Sequence, residues 1–186
     1  KHKVSGVTFL GVGVLEPRKR FDLLLKSFSM IASPNDKLLI AGTGSLQHEL
    51  ESLSKELGIE SQVNFLGFVD DIDSLMRNSD IFVLTSNSEA FGLVLVEGLA
   101  AGLQVVSTNS FSGPAEVLGD GRYGFLAEVD DVNSIASSMK AAINSPISQE
   151  IIHEGASRFS IDSIVKKYLE FITIVKASDG NLDDPI

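Results

Sequence analysis

The chain has 186 residues, no cysteine, and 25 acidic against 15 basic side chains, a formal net charge of −10 at pH 7. That length suits one well-packed domain and is too short for two full α/β domains, while the acidic balance disfavours nucleic acid or an anionic membrane as partner through bulk electrostatics. Without cysteine there is no disulfide framework and no thiolate nucleophile or metal ligand, and no apolar run approaches the roughly 20 residues that span a bilayer, so a cytosolic domain without a membrane span of its own is expected.

Read in chain order, strands alternate with helices. Thr8 to Leu15 is apolar and punctuated by glycine, a strand, and Phe21 to Ala32 carries apolar residues at helical spacing. Lys37 to Ala41 predicts a second strand, Gly42-Thr43-Gly44 a turn, and Leu46 to Leu57 a helix closed by Gly58. Val63 to Leu66 is a third strand, and Asp70 or Asp71 caps a short helix through Met76. Asp80 to Ser86 and Leu103 to Ser107 are short apolar runs of the kind found in buried parallel strands, and a helix beginning near Gly92 joins them. After Gly113-Pro114 come a short helix to Leu118 and a strand at Gly124 to Ala127. Asp130-Asp131 then caps a helix from Val132 to Ile143. Pro146 breaks the chain before two final helices, Gln149 to Phe159 and Ile161 to Val175, and residues 177–186 are expected to be a flexible polar tail beyond a domain of residues 1–176. This alternation predicts an α/β, Rossmann-like, mostly parallel sheet with helices on both faces.

The segment with the most chemistry is Ser86 to Gly102, SNSEAFGLVLVEGLAAG. A helix starting near Gly92 leaves its first amides unpaired and carries roughly half a positive charge there, so it accepts a phosphate or an electron-rich oxygen without a basic side chain. Glu97 then lies about one and a half turns into the helix, where its carboxylate can accept two hydrogen bonds from the neighbouring hydroxyls of a ribose. Glu89 precedes the helix, where it can read sugar hydroxyls. Two glutamates at this spacing also arise as one helix-terminal charge and one solvated-face residue. The strand before and the strand after tip the balance, because they place the turn at the carboxyl edge of a sheet, where open α/β proteins bind ligands.

The order S-x-x-E-x-F-G-x-x-x-x-E-x-x-A-x-G followed by an apolar strand resembles the donor-binding signature of the retaining family 4 (group 1) glycosyltransferases, which have the two-domain GT-B fold. The likeness covers about Val12 to Met139 and implies that the chain is the carboxyl-terminal, nucleotide-sugar half of such an enzyme. In that family the first βα junction carries a glycine, an arginine directly after it and a lysine five residues later, the two cations being held on the donor diphosphate. Gly13 and Lys19 match, but Val14 stands at the arginine position, with Arg18 and Arg20 nearby; the three cations by themselves are equally compatible with an exposed basic loop. The resemblance further implies that backbone at Gly42 and Gly44 approaches the ligand. Phe68 would border the nucleobase or else pack in the core. Amides around Phe91, Gly92 and Leu93 would meet the diphosphate, Glu97 the ribose and Glu89 the sugar.

The expected activity is hexose transfer from a nucleotide diphosphate sugar to a hydroxyl with retention, in polysaccharide or glycolipid synthesis, with Glu89 and Lys19 catalytic and no metal cofactor. The acceptor site would come from an amino-terminal domain or a separate subunit, which would also supply any contact with the inner face of a membrane. Without it the domain would bind donor but transfer poorly. The alternative is a non-catalytic nucleotide-sugar-binding or scaffolding module derived from such an enzyme, with Val14 its main support. His2, His48 and His153 lack the paired spacing of a metal site, and Asp70-Asp71-x-Asp73 reads as a helix cap. Ser112 to Leu118 resembles a segment that shapes the cleft floor, with Glu116 also readable as a helix-terminal charge.

Overall fold

A computed structural model describes residues 6–111 and 113–179. Six strands, β1 (Thr8–Val12), β2 (Lys37–Ala41), β3 (Val63–Gly67), β4 (Ile81–Leu84), β5 (Gln104–Thr108) and β6 (Phe125–Ala127), form one sheet in the order β3-β2-β1-β4-β5-β6, every pair parallel. The strands run outward from β1 to β3, then return to the other side of β1 and run outward again through β4, β5 and β6. The winding therefore reverses between β1 and β4, and the loops leaving those two strands flank the crevice that such a reversal opens.

The helices are α1 (Phe21–Ile31), α2 (Gln47–Glu56), α3 (Ile72–Arg77), α4 (Leu93–Ala100), α5 (Gly113–Leu118), α6 (Val132–Asn144), α7 (Gln149–Ser157) and α8 (Ile161–Asp179). Alternation along each strand sends neighbouring apolar side chains to opposite faces. Phe9, Val83 and Val106 meet Leu24, Phe28 and Leu50 and, from α6, Ile135 and Met139, on one face; Leu10, Phe82 and Val105 meet Met76, Leu95, Leu99, Val117 and Ile152 on the other. Both faces are thus covered, which explains why strands such as β4, Ile-Phe-Val-Leu, are buried at every position. The mostly parallel doubly wound sheet agrees with the sequence.

Some boundaries differ for identifiable reasons. The first strand ends at Val12 because Gly13 turns away, although the chain still follows the neighbouring loop through Leu15 N–H to the Thr43 carbonyl (3.0 Å). Asp71 caps α3 by accepting from the Ser74 amide (2.8 Å), and Asp131, not Asp130, caps α6 by accepting from Asn133 and Ser134 (2.8 and 3.0 Å). Asp130 instead has φ +61° and receives the Arg20 guanidinium. The penultimate helix stops at Ser157, and α8 runs to Asp179, so residues 177–179 are helical rather than tail; the remainder of the expected tail lies outside the described residues, as do Ser112 and His2. The two described histidines, His48 and His153, are exposed.

Candidate functional site

The loop after β1 passes through Gly13 and a 3-10 turn at Pro17–Lys19 into α1; the loop after β4 passes through Ser86 and Glu89 into α4. Hydrogen bonds join these two loops across the switch point. Thr85 Oγ1 donates to the Lys19 and Arg20 carbonyls (3.0 and 2.9 Å), the Asn87 amide donates to the Arg18 carbonyl (3.0 Å), and Arg18 Nη1 donates to the Ser88 carbonyl (2.9 Å). From β5, Thr108 Oγ1 donates to the Ser86 carbonyl (2.5 Å).

Between them lies the central contact: Lys19 Nζ donates to Glu89 Oε1 at 2.5 Å, with the side chains only 13% and 11% exposed. Ser86 Oγ donates to the same oxygen (2.6 Å), and Arg18 Nη1 stands 3.7 Å from it while Arg18 Nη2 pairs with Glu16 at 2.8 Å. Burial pushes the Glu89 carboxyl up, but hydrogen bonds from Lys19 and Ser86 and the nearby Lys19 and Arg18 charges outweigh it and hold the pKa below the ordinary glutamate range. Glu89 is therefore an anion at neutral pH, and Lys19 and Arg18 sit around it.

Arg20 faces elsewhere. It pairs with Asp22 (3.0 Å) and Asp130, and the hydrogen bond to Asp22 leads the interactions that raise its pKa despite partial burial. Of the two arginines flanking Lys19, only Arg18 reaches the Glu89 carboxylate among the described residues.

The glycines of the site do distinct jobs. Gly13 lies under the stem of Lys19, whose Cε would meet a side chain there at 3.5 Å. A Cβ on Gly42 would stand 1.8 Å from the Gly13 carbonyl oxygen, and one on Gly44 2.3 Å from that of Leu15, so both let the β2 loop press against the β1 loop. Gly92 adopts φ +82° as the residue before α4, a left-handed conformation from which the helix starts, its first amides without a side-chain cap. Leu93, the first helical residue, is 68% exposed.

Glu97 lies five residues past Gly92, exposed, and among the described residues its side chain makes no ion pair or hydrogen bond. Phe68 follows β3 and is 77% exposed, so it is not a core residue. It stands three strand spacings from β4, about 14 Å along the carboxyl edge. The Phe91 ring turns inward and meets Phe159 edge to face, with centroids 5.5 Å apart. Lys19, Glu89, Gly13, Gly42 and Gly44 are thus brought together by the loops after β1, β2 and β4, with Gly92 opening α4, whereas Glu97, Leu93 and Phe68 have exposed side chains.

Sequence reasoning missed the parts that Ser86 and Thr85 play, and it left open which of Arg18 and Arg20 stands in at the site. The Ser86-x-x-Glu89 spacing, a hydroxyl three residues before a carboxylate, was the available signal. Ser110, at the carboxyl end of β5, has a buried hydroxyl without a hydrogen-bond partner among the described residues. Those residues hold no group of three or more His, Asp or Glu side chains that could bind a metal, and none of their helices is long and apolar enough to cross a membrane.

A doubly wound sheet with a carboxylate and two cations at its switch point defines a class of ligand-binding α/β domain, and comparison with known proteins gives the family. The profile described as "Glycosyl transferases group 1" matches residues 2–159, so the chain belongs to that family. An uncharacterized glycosyltransferase of Haemophilus influenzae is 31% identical over 170 residues, covering 90% of this chain and 48% of its own length. A Campylobacter jejuni enzyme is 37% identical over 134 residues, covering 72% of this chain and 36% of its own; it is named N-acetylgalactosamine-N,N'-diacetylbacillosaminyl-diphospho-undecaprenol 4-alpha-N-acetylgalactosaminyltransferase. Among solved structures, Anabaena HepE in complex with UDP aligns with a TM-score of 0.80 and 26% identity, covering 91% of this chain and 49% of that one. The neighbours are GT-B glycosyltransferases. The chain spans about half or less of the length of the curated relatives it matches.

Proposed function

We propose that this chain is the donor-binding half of a retaining glycosyltransferase that moves a hexose from a nucleoside diphosphate sugar to a hydroxyl acceptor. The Lys19–Glu89 pair at the switch point, with Arg18 beside it and the start of α4 adjoining, carries the reading. It offers cations and helix amides to a diphosphate and a fixed carboxylate to the sugar next to it. Glu97 accepts from the ribose, and Phe68 stands at the end of the edge suited to the base, so that an extended ligand runs from β4 towards β3. Arg18 takes over the charge that Val14 lacks.

In the transfer, the acceptor oxygen bonds to the anomeric carbon on the face from which the diphosphate leaves. The bond from that carbon to the phosphate oxygen breaks with its electron pair on the diphosphate, which takes the acceptor's proton. Lys19 and Arg18 offset the growing negative charge on the leaving group, and Glu89 faces the positive charge that develops on the sugar. This division of labour calls for no divalent metal. The acceptor and its binding groups belong to an amino-terminal domain or a separate subunit, which would also provide any contact with a membrane, the domain itself acting in the cytoplasm. The undecaprenol-linked substrate in the Campylobacter relative's name supports a place in polysaccharide or glycolipid synthesis.

Calorimetric titration of the chain with UDP, GDP, ADP and TDP tests the reading. One of them binds, and Lys19→Ala weakens that binding at least about tenfold. No heat and no thermal shift with any of the four at millimolar concentration would overturn it. A non-catalytic descendant is the second reading, favoured by Val14; it predicts binding but no transfer when the acceptor half is supplied.

A further inference from the structure

Phe91 lies in the turn that holds Glu89, and its ring packs, partly buried, into a corner shared with Phe159 from the far end of the chain. There it meets Phe159 edge to face, centroids 5.5 Å apart and planes at 77°. The backbone of Phe91 is confined as well, because a side chain on Gly113, the first residue of α5, would stand 2.2 Å from the Phe91 carbonyl oxygen. Phe159 is itself held tightly. The neighbouring Arg158 guanidinium lies over the Phe159 ring at 5.0 Å and over Tyr123 at 4.8 Å, and it donates to the Val117 and Glu116 carbonyls at the end of α5 (3.2 and 3.0 Å). Tyr123 donates its hydroxyl to Glu154 on α7 (2.9 Å), and α7 approaches so closely at Gly155 that a Cβ there would stand 2.8 Å from the Tyr123 ring. One arginine thus ties the corner after α7 to α5, and one aromatic contact passes that fixed position to the Glu89 turn.

We propose that Phe159 is a positioning residue for Glu89: by clamping Phe91 it holds the turn in the orientation that brings the Glu89 carboxylate to Lys19. Phe159 itself touches no ligand. Aromatic pairs add packing beyond their buried area and prefer a fixed geometry, so the ring holds an angle that a flexible aliphatic side chain would not. The consequence for sugar recognition rests on the donor-site reading, whereas the effect on the Lys19–Glu89 pair does not.

The test compares wild type, Phe159→Tyr, Phe159→Ala and a control, Met139→Ala, whose side chain is buried on the opposite face of the sheet. Two quantities are read: the titration of the Glu89 carboxyl by carbon-detected NMR at neutral to acid pH, and the ratio of affinities for UDP-glucose and UDP. In Phe159→Ala the Glu89 midpoint rises towards the ordinary glutamate value, because the groups that hold it down lose their geometry. The UDP-glucose preference then falls about three- to tenfold. Phe159→Tyr keeps both near wild type. Met139→Ala lowers stability and leaves both unchanged, which separates positioning from general loosening. An unmoved Glu89 midpoint in a folded Phe159→Ala would overturn the proposal. If wild type binds none of UDP, GDP, ADP and TDP, the functional reading fails while the Glu89 titration still decides the role of Phe159; if it binds another of the four in place of UDP, the affinity ratio is read with that diphosphate and its glucose conjugate.

Discussion

Replacing Glu89 by glutamine keeps the shape of the side chain and an acceptor for Ser86 but removes the charge opposite Lys19. An exposed ion pair contributes about 0–1 kcal/mol, and breaking a fully buried one costs about 3–5 kcal/mol. The Lys19 and Glu89 side chains are 13% and 11% exposed, nearer the buried limit, and the amide still offers Lys19 a dipole. The expected loss is therefore about 2 kcal/mol at pH 7, or about 4–8 °C in melting temperature for a domain of this size. Its pH dependence is the sharper signature. The folded pKa of Glu89 lies below its ordinary value, so the stabilisation is fully present above the unfolded pKa, about 4.3, and is lost as pH falls through the lower folded value. Urea unfolding followed by circular dichroism from pH 7 downwards should show the gap between wild type and Glu89→Gln widest at neutral pH, narrowing below the ordinary glutamate range and closing once Glu89 is protonated in the folded state. A gap that is the same at both ends of the series, or a variant as stable as wild type at pH 7, would refute the pairing.

Arg18→Ala should weaken nucleoside diphosphate binding and flatten its salt dependence with little effect on stability, whereas Arg20→Ala should lower stability through Asp22 and Asp130 and leave affinity unchanged; calorimetry at two salt concentrations and thermal melts separate the two. Gly42→Ala, whose new Cβ would meet the Gly13 carbonyl oxygen, should cost on the order of 2–4 kcal/mol in urea unfolding, because backbone rather than a side-chain tip must move. Glu97→Ala should leave stability within about 0.5 kcal/mol and weaken nucleotide binding by about 1–3 kcal/mol; unchanged affinity would make Glu97 a solvated helix residue.

The sheet was legible because its strands are apolar runs with glycine, proline or aspartate at their ends, as in Asp80 before β4 and Gly102 before β5. Helix ends were less so. The 3-10 turn at Pro17–Lys19 depends on a left-handed Arg20, and choosing between Asp130 and Asp131 as a cap depends on backbone geometry that two adjacent aspartates do not reveal. In the site, the meeting of Lys19 with Glu89 follows from topology: only the winding reversal at β1 and β4 makes neighbours of loops so far apart in the chain. Gly42 and Gly44 looked like a ligand-facing turn, and the structure adds that they serve loop-to-loop contact. The division between Arg18 and Arg20 was hidden, since both flank Lys19 and only the tertiary partners Ser88, Glu89 and Asp130 distinguish them. Phe91 read as part of the binding turn, but its ring belongs to a packing contact with Phe159 that no local pattern announces.

A sugar-nucleotide donor is expected to bind at the switch point between β1 and β4. Amide chemical-shift mapping of the labelled chain during titration with UDP-glucose addresses this directly. The perturbed amides are expected to cluster in two stretches far apart in sequence, Gly13 to Arg20 and Glu89 to Val94, with the largest changes lost in Lys19→Ala. Perturbations confined to another surface, such as α8, or shifts at the switch point that persist unchanged in Lys19→Ala, would contradict it.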